Sequence, residues 1–175
     1  VPLVEDAAIV ETSALKVKSL SRQIACLNED VDEYEQYIAA LFETHPERDL
    51  FDALPGAGPA LAPRLLVAMG TDRERFHTSD AVANFVGIAP VTERSGQHTW
   101  VHWRLACSKF VRQTFHEFAN RSRHQSPWAH AYYEAQRARG KSHHAALTDL
   151  AFKWIRILTR CWEHRDASSY IHPMP

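Results

Sequence analysis

From Val10 to Leu41 the chain reads VETSALKVKSLSRQIACLNEDVDEYEQYIAAL, a stretch without glycine or proline in which apolar residues recur with heptad spacing. The heptad positions are β-branched at a and mostly leucine at d. They are Val10, Val17, Ile24, Val31 and Ile38 at a, and Ser13, Leu20, Leu27, Tyr34 and Leu41 at d. This seam predicts a long coiled-coil helix over residues 1–45 that associates with another copy of the chain. The alternative is an amphipathic helix that packs on its own domain.

The direction of this association is left open by the sequence. β-branched residues at a with leucine at d favour two parallel helices. In a parallel pair, however, Asp30 at g would face Glu35 at e of the other helix, and the two like charges would repel. An antiparallel pair avoids that contact. The pattern therefore predicts a homo-oligomer without specifying its direction.

After His45-Pro46, apolar helical segments alternate with glycine and proline, which predicts a compact helical domain over residues 46–175. Helices are expected at 49–54, 61–69, 79–86 with Ser79 as the N-cap, 104–123, 127–139 and from about 142 onward. A stripe on the last helix should form core; its residues are Ala146, Leu150, Trp154, Ile155, Leu158 and Trp162. Val91–Thr92 and His98–Val101 could pair as one small β-hairpin. The predicted class is all-α, with a long N-terminal coiled-coil helix before the compact domain.

The segment 49–70 resembles a helix-hairpin-helix, with Leu54-Pro55-Gly56-Ala57-Gly58 between two helical stretches. Gly56 and Gly58 would permit a tight turn, and amides at the start of the second helix would form an anion site for a phosphate. Arg64, one turn into that helix, could contact the same strand. An ordinary glycine-rich turn between helices explains the pattern equally well.

The charge is distributed unevenly, although the formal net charge is only −1. Between Arg94 and Arg160 there are 12 basic and 3 acidic residues, which favours a polyanionic partner such as nucleic acid. The candidate contacts are Arg94, Arg104, Lys109 and Arg112. No apolar run is long enough to span a membrane. Three widely spaced cysteines and the absence of paired carboxylates after residue 45 predict no metal site.

The loop 87–99 presents Ser95-Gly96, a turn dipeptide that should expose the serine hydroxyl. A hydroxyl beside cationic side chains is a candidate nucleophile for a phosphodiester, and Arg94 would stabilise the developing phosphate charge. Most Ser-Gly turns are only turns, and no general base stands at a defined spacing. The residues alone therefore do not complete a phosphoryl-transfer site.

Taken in order, several motifs resemble the C-terminal domain of insertion-sequence transposases of the 110/116/902 group. They are Leu54-Pro55-Gly56-Ala57-Gly58-Pro59, Met69-Gly70, Phe76, Ala83-Asn84-Phe85-Val86-Gly87-Ile88-Ala89-Pro90 and Ser95-Gly96, followed by the basic helices at 104–164. The similarity covers about residues 50–165, and the heptad helix resembles the coiled coil that precedes this domain in the family.

The resemblance implies a DNA transposase in which Ser95 is the nucleophile, Gly96 shapes its loop, and Gly56 and Gly58 face DNA or RNA. It also implies a structured guide RNA, a bacterial, cytoplasmic and nucleoid-associated setting, and an RNase H-like domain that binds Mg²⁺ through four acidic residues. That acidic domain is absent from this sequence, so the fragment alone is expected to bind without cutting. The alternative function is a non-catalytic coiled-coil dimer whose helix-hairpin-helix binds nucleic acid.

Overall fold

A computed structural model describes residues 6–102 and 104–166. Within these ranges the helices are α1 (Ala7–Glu43), α2 (Arg48–Asp52), α3 (Gly58–Met69), α4 (Ser79–Val86), α5 (Lys109–Ser122), α6 (Pro127–Ala138) and α7 (His143–His164). A short 3-10 helix covers Arg73–Arg75, and two strands, β1 (Val91–Ser95) and β2 (His98–His102), form one antiparallel hairpin. The predicted class, a helical protein with one small hairpin, is confirmed. The chain divides into two compact units between Glu43 and Thr44.

The first unit is the single long helix α1, which contains 37 residues. Its heptad seam is exposed in the isolated chain: Ile24 and Leu27, near the middle, keep 58% and 62% of their surface exposed. A continuous apolar seam in water is unfavourable unless another surface covers it. The predicted association therefore has a suitable surface, and its partner is considered with the function below.

The core of the second unit is built around α7. Helices α4, α5 and α6 all pack against it, while α3 packs on α5 and α2 packs on α3. All six residues of the predicted α7 stripe are buried, which confirms that prediction. The indole N–H of Trp154 donates to the Ser122 hydroxyl at 2.7 Å, and the ring packs against Phe118 and Trp128. The aromatic core thus satisfies the polar atom that it buries.

The predicted N-cap of α4 and the predicted start of α5 are wrong. Helix α4 is capped by Thr78 rather than Ser79, because the Thr78 hydroxyl accepts the N–H of Ala81. Helix α5 begins at Lys109 rather than 104, because the Ser108 hydroxyl caps it by accepting the N–H of Val111. Arg104 consequently lies in the connection between β2 and α5.

The hairpin is longer than the sequence suggested, with five residues in each strand. Val91 pairs with His102 at its base and Ser95 pairs with His98 at its tip, leaving a two-residue turn at Gly96-Gln97. Gly96 has φ of 59°, as the first central position of a type II′ turn requires. The glycine therefore sets the register that brings Ser95 and His98 together.

Membrane passage needs a helix that is both long and strongly apolar, and none of the helices in residues 6–102 and 104–166 meets both conditions.

Candidate active site and nucleic-acid interface

Ser95 is the last residue of β1, and its side chain is exposed. The hairpin tip on which it stands has exposed residues on both strands, from Thr92 to His102. Ser95 is exposed, as predicted, although it ends the strand next to the turn rather than lying within the turn. A phosphodiester strand can therefore reach Ser95 without any rearrangement of the core.

The residues that share a face with Ser95 follow from the strand register. Side chains alternate between the two faces of a strand, and residues directly opposite each other share a face. The face that carries Ser95, here called the serine face, also carries Glu93, His98, Trp100 and His102. Its members include two histidines and an exposed indole, which makes it the most chemically varied surface of the hairpin.

Arg94 does not belong to the serine face. It lies on the opposite face, where its Nε–H donates to the Thr99 hydroxyl at 3.4 Å. This position weighs against the expectation that Arg94 stabilises a phosphate held at Ser95, and that role stays a prediction. Arg94 remains exposed and keeps its charge available to a strand passing the other side of the hairpin.

His98 is the functional candidate that the sequence reasoning missed. It pairs directly with Ser95 across the hairpin tip, and an imidazole can accept the proton of an attacking hydroxyl. The available clue was the spacing Ser-Gly-x-His, which in a two-residue hairpin turn places the first and last residues opposite each other. Without the hairpin, the same two residues have no defined relation.

Three of the five predicted cations are engaged within the second unit. Arg64 joins α3 to α5: its guanidinium donates to Glu117 at 2.8 Å and to the Thr114 hydroxyl at 3.1 Å. Arg104 donates to the Asn84 amide oxygen at 2.8 Å, and Arg112 donates to the Arg104 carbonyl oxygen. These contacts hold neighbouring segments in place and weigh against the predicted nucleic-acid roles of the three arginines.

Lys109, by contrast, is exposed on the first turn of α5. Together with Arg94 it leaves two of the predicted cations directed to solvent near the hairpin in sequence. These two are the members of the predicted set best able to meet a phosphate backbone.

Gly56 has a packing role that the motif did not reveal. Its φ is 85°, and a methyl group added there would lie 2.7 Å from the Ser122 backbone nitrogen and 2.8 Å from the Arg121 carbonyl carbon. Its own N–H donates to the Gln125 side-chain oxygen at 2.9 Å. The Gly56 amide is thus already engaged, and the turn is pressed against the end of α5.

Gly58 is different, since it is exposed, has φ of 57° and has open space around its Cα. It begins α3, and Pro59 after it has no N–H to offer. The nucleic-acid role of this turn therefore stays a prediction that rests on Gly58 alone.

Burial controls the thiol of Cys161 and the imidazole of His116. Burial, followed by the nearby Asp166, raises the pKa of Cys161 to about 11, so this thiol stays protonated and is not a competing nucleophile at neutral pH. Burial, then Arg112 and His144, lowers the pKa of His116 from its ordinary value. His116 on α5 accordingly adds little positive charge near neutral pH.

Within residues 6–102 and 104–166, no three or more His, Cys, Asp or Glu side chains are grouped so that they could hold a metal ion. The resemblance implies that Mg²⁺ would be bound by a separate acidic domain rather than by these residues. That expectation therefore stays a prediction.

Comparison with known proteins gives a consistent result. Residues 48–134 match the sequence profile of the family described as Transposase IS116/IS110/IS902. The uncharacterized 43.6 kDa protein of insertion element IS110 from Streptomyces coelicolor is 33% identical over 167 residues, covering 94% of this chain and 40% of that protein. A mini-circle protein of the same organism, named as a candidate transposase for IS117, is 28% identical over 94% of this chain and 39% of its own length. The IS900 42 kDa protein of Mycobacterium paratuberculosis is 25% identical over 93% of this chain and 40% of its own length. The chain thus spans about two fifths of these relatives, and the matched segment contains the whole serine hairpin.

Proposed function

Since this chain belongs to the IS116/IS110/IS902 transposase family through residues 48–134, we propose that it is the part of a DNA transposase that binds DNA and supplies Ser95 as the nucleophile. The observation that carries the proposal is the hairpin tip, where an exposed serine stands directly opposite a histidine. A turn with a purely structural role would require Gly96 but would not require a serine opposite a histidine.

In the proposed step, the Ser95 oxygen attacks the phosphorus of a DNA strand. A new Oγ–P bond forms, and the bond from phosphorus to one deoxyribose oxygen breaks. The serine proton passes to His98, and the departing oxygen takes a proton from solvent. Attack by a sugar hydroxyl on the phosphoserine would reverse the sequence and join a new strand, so the phosphodiester bond energy is kept.

Mg²⁺ would act through the acidic domain that the resemblance implies. Bound there, it would neutralise phosphate charge during the transfer. The chain described here contributes the hydroxyl, its proton acceptor and cationic surface. By itself it is expected to bind nucleic acid without cutting it.

The excess of positive charge in the second unit supports DNA as substrate and a structured guide RNA as a further partner. Exposed cations release counterions from either polyanion. Structured RNA should accordingly compete with duplex DNA for the 175-residue chain.

Exposed cations should determine the salt dependence of binding. Replacing Arg94 and Lys109 together with glutamine is expected to weaken duplex binding about tenfold at moderate salt and to reduce the slope of log affinity against log salt by about 2, because each phosphate contact contributes about 0.9. Fluorescence anisotropy over a salt series measures both. The matched control is Lys16→Gln with Lys18→Gln, which removes the same charge from α1. An equal loss of duplex affinity in the control would show that net charge alone causes the effect, and this would contradict an interface at the hairpin.

A second copy of the chain is the proposed partner of α1. The seam alternates β-branched and leucine-rich layers along more than four heptads, and these residues are exposed in the single chain. Such a sequence is complementary to itself, whereas a partner of different composition would need a matching seam of its own.

Charges in the seam should therefore separate the oligomer. Ile24→Asp with Leu27→Asp is expected to raise the dissociation constant about a thousandfold or more, because each buried aliphatic side chain contributes about 1.5–3 kcal/mol and both copies lose two. Sedimentation velocity gives the mass. Ser19→Asp, at a c position outside the seam, is the control and should remain associated. A monomeric wild-type chain at micromolar concentration would overturn the proposal.

Covalent capture of DNA by the whole protein, with Ser95 present or replaced, tests the catalytic proposal. A nucleic-acid complex that forms normally but never becomes covalent would instead identify a non-catalytic binding module.

A further inference from the structure

Trp100 is an exposed aromatic residue that lies outside the hydrophobic core. It keeps 53% of its surface exposed on a two-stranded hairpin whose strands are exposed along nearly their whole length. A large apolar side chain in this position gains little from folding, since little of its surface leaves water. Trp100 is therefore expected to contact a ligand of the hairpin rather than the core.

The indole is part of an ordered aromatic pair on the serine face. The rings of Trp100 and His98 are stacked, with centroids 6.0 Å apart and an interplanar angle of 22°. His98 is opposite Ser95, and Trp100 is two residues further along β2. The two flat rings thus extend from the proposed nucleophile along one strand.

We propose that Trp100, supported by His98, stacks on an unpaired nucleobase of the strand whose phosphate lies at Ser95. The inference rests on the proposed function, because it assigns the occupant of the same face. Bases within an intact duplex cover each other's faces, so an exposed aromatic side chain has full access to the face of a base that has left the stack. The occupant is accordingly single-stranded or locally opened DNA.

Charge on the serine face specifies which part of the nucleotide lies where. Glu93 stands opposite Trp100, and its carboxylate lies 3.5 Å from the His102 imidazole. A carboxylate repels phosphate but does not repel a neutral base. The phosphate is therefore expected at the Ser95 end of the face and the base at the Trp100 end.

The test compares single-stranded and duplex DNA with the 175-residue chain. Trp100→Ala is expected to weaken binding of a single-stranded oligonucleotide about tenfold, within the range measured for loss of one base–aromatic stack, and to leave duplex binding within about twofold. Trp100→Phe should retain most of the single-strand affinity, since it keeps an aromatic face. Val101→Ala, an exposed apolar residue on the opposite face of the same strand, is the matched control.

A second readout follows the base itself. An oligonucleotide containing 2-aminopurine should lose fluorescence when it binds the wild-type chain and the Phe variant, but not the Ala variant. Unchanged single-strand affinity in Trp100→Ala, or an equal loss for both DNA forms, would overturn the inference. Since binding is measured without chemistry, this result is independent of Ser95: adducts that persist in Ser95→Ala would overturn the nucleophile and leave the stacking surface standing.

Discussion

Replacing Ser95 with alanine is expected to abolish covalent protein–DNA adducts in the whole protein, with a loss of at least about a thousandfold. The hydroxyl is the only group at the hairpin tip proposed to bond with phosphorus, and no neighbouring side chain on the serine face can form the same ester. Adducts are measured as labelled DNA that migrates with protein on a denaturing gel. DNA binding should stay within about twofold, because a single exposed hydroxyl contributes little to affinity.

Three further variants define the site. Ser95→Cys keeps a nucleophile and should give some adduct, whereas Thr92→Ala removes a hydroxyl from the opposite face and should be silent. His98→Ala should slow adduct formation about 10²–10⁴-fold, as loss of a general base does. Raising the pH should restore part of that rate, because hydroxide can then remove the serine proton. Adducts of undiminished yield in Ser95→Ala would refute the assignment.

The largest effect on stability is expected at Trp154. Trp154→Ala should lower the free energy of unfolding by about 3–5 kcal/mol, because it empties a large fully buried site and leaves the Ser122 hydroxyl without the indole donor. A domain of this size is stable by only about 5–15 kcal/mol, so the variant is near the limit of folding. Urea denaturation followed by circular dichroism measures the change.

Trp100→Ala provides the control, since it removes the same side chain from an exposed position. Its unfolding free energy should change by no more than about 0.5 kcal/mol. A loss below about 1 kcal/mol in Trp154→Ala would mean that α7 is not the centre of the core. Trp154→Phe keeps much of the ring volume and is expected to have an intermediate effect.

Patterns that repeat along the sequence predicted the fold well. The α7 stripe recurs with helical period, and burial is what such a period records, so its six residues were identified from the sequence alone. The hairpin was anticipated from turn residues, although its length was not. The start of α5 was missed because a hydrophobic pattern does not show where a capping hydroxyl interrupts the helix, and Ser108 interrupts it.

The candidate site was predicted less completely, because its relations depend on conformation and on distant partners. Arg94 is adjacent to Ser95 in sequence but lies on the other face once the segment is a strand, whereas His98 becomes its neighbour. The partners of Arg64 are about 50 residues away in sequence, and no local pattern identifies them. Sequence motifs therefore identified Ser95, whereas the strand register was needed to identify the residues that lie beside it.

The crowding around Gly56 bears on how family alignments are interpreted. Gly56 lies against the main chain of α5 at Ser122, and the Ser122 hydroxyl accepts the N–H of the Trp154 indole. A side chain at position 56 would push the turn between α2 and α3 away from α5. Retention of Gly56 among homologues would therefore report selection for a folded scaffold. Invariance at that column is no evidence of contact with DNA, and a search for substrate-binding positions should give more weight to invariant columns of the hairpin that face solvent and serve no packing role.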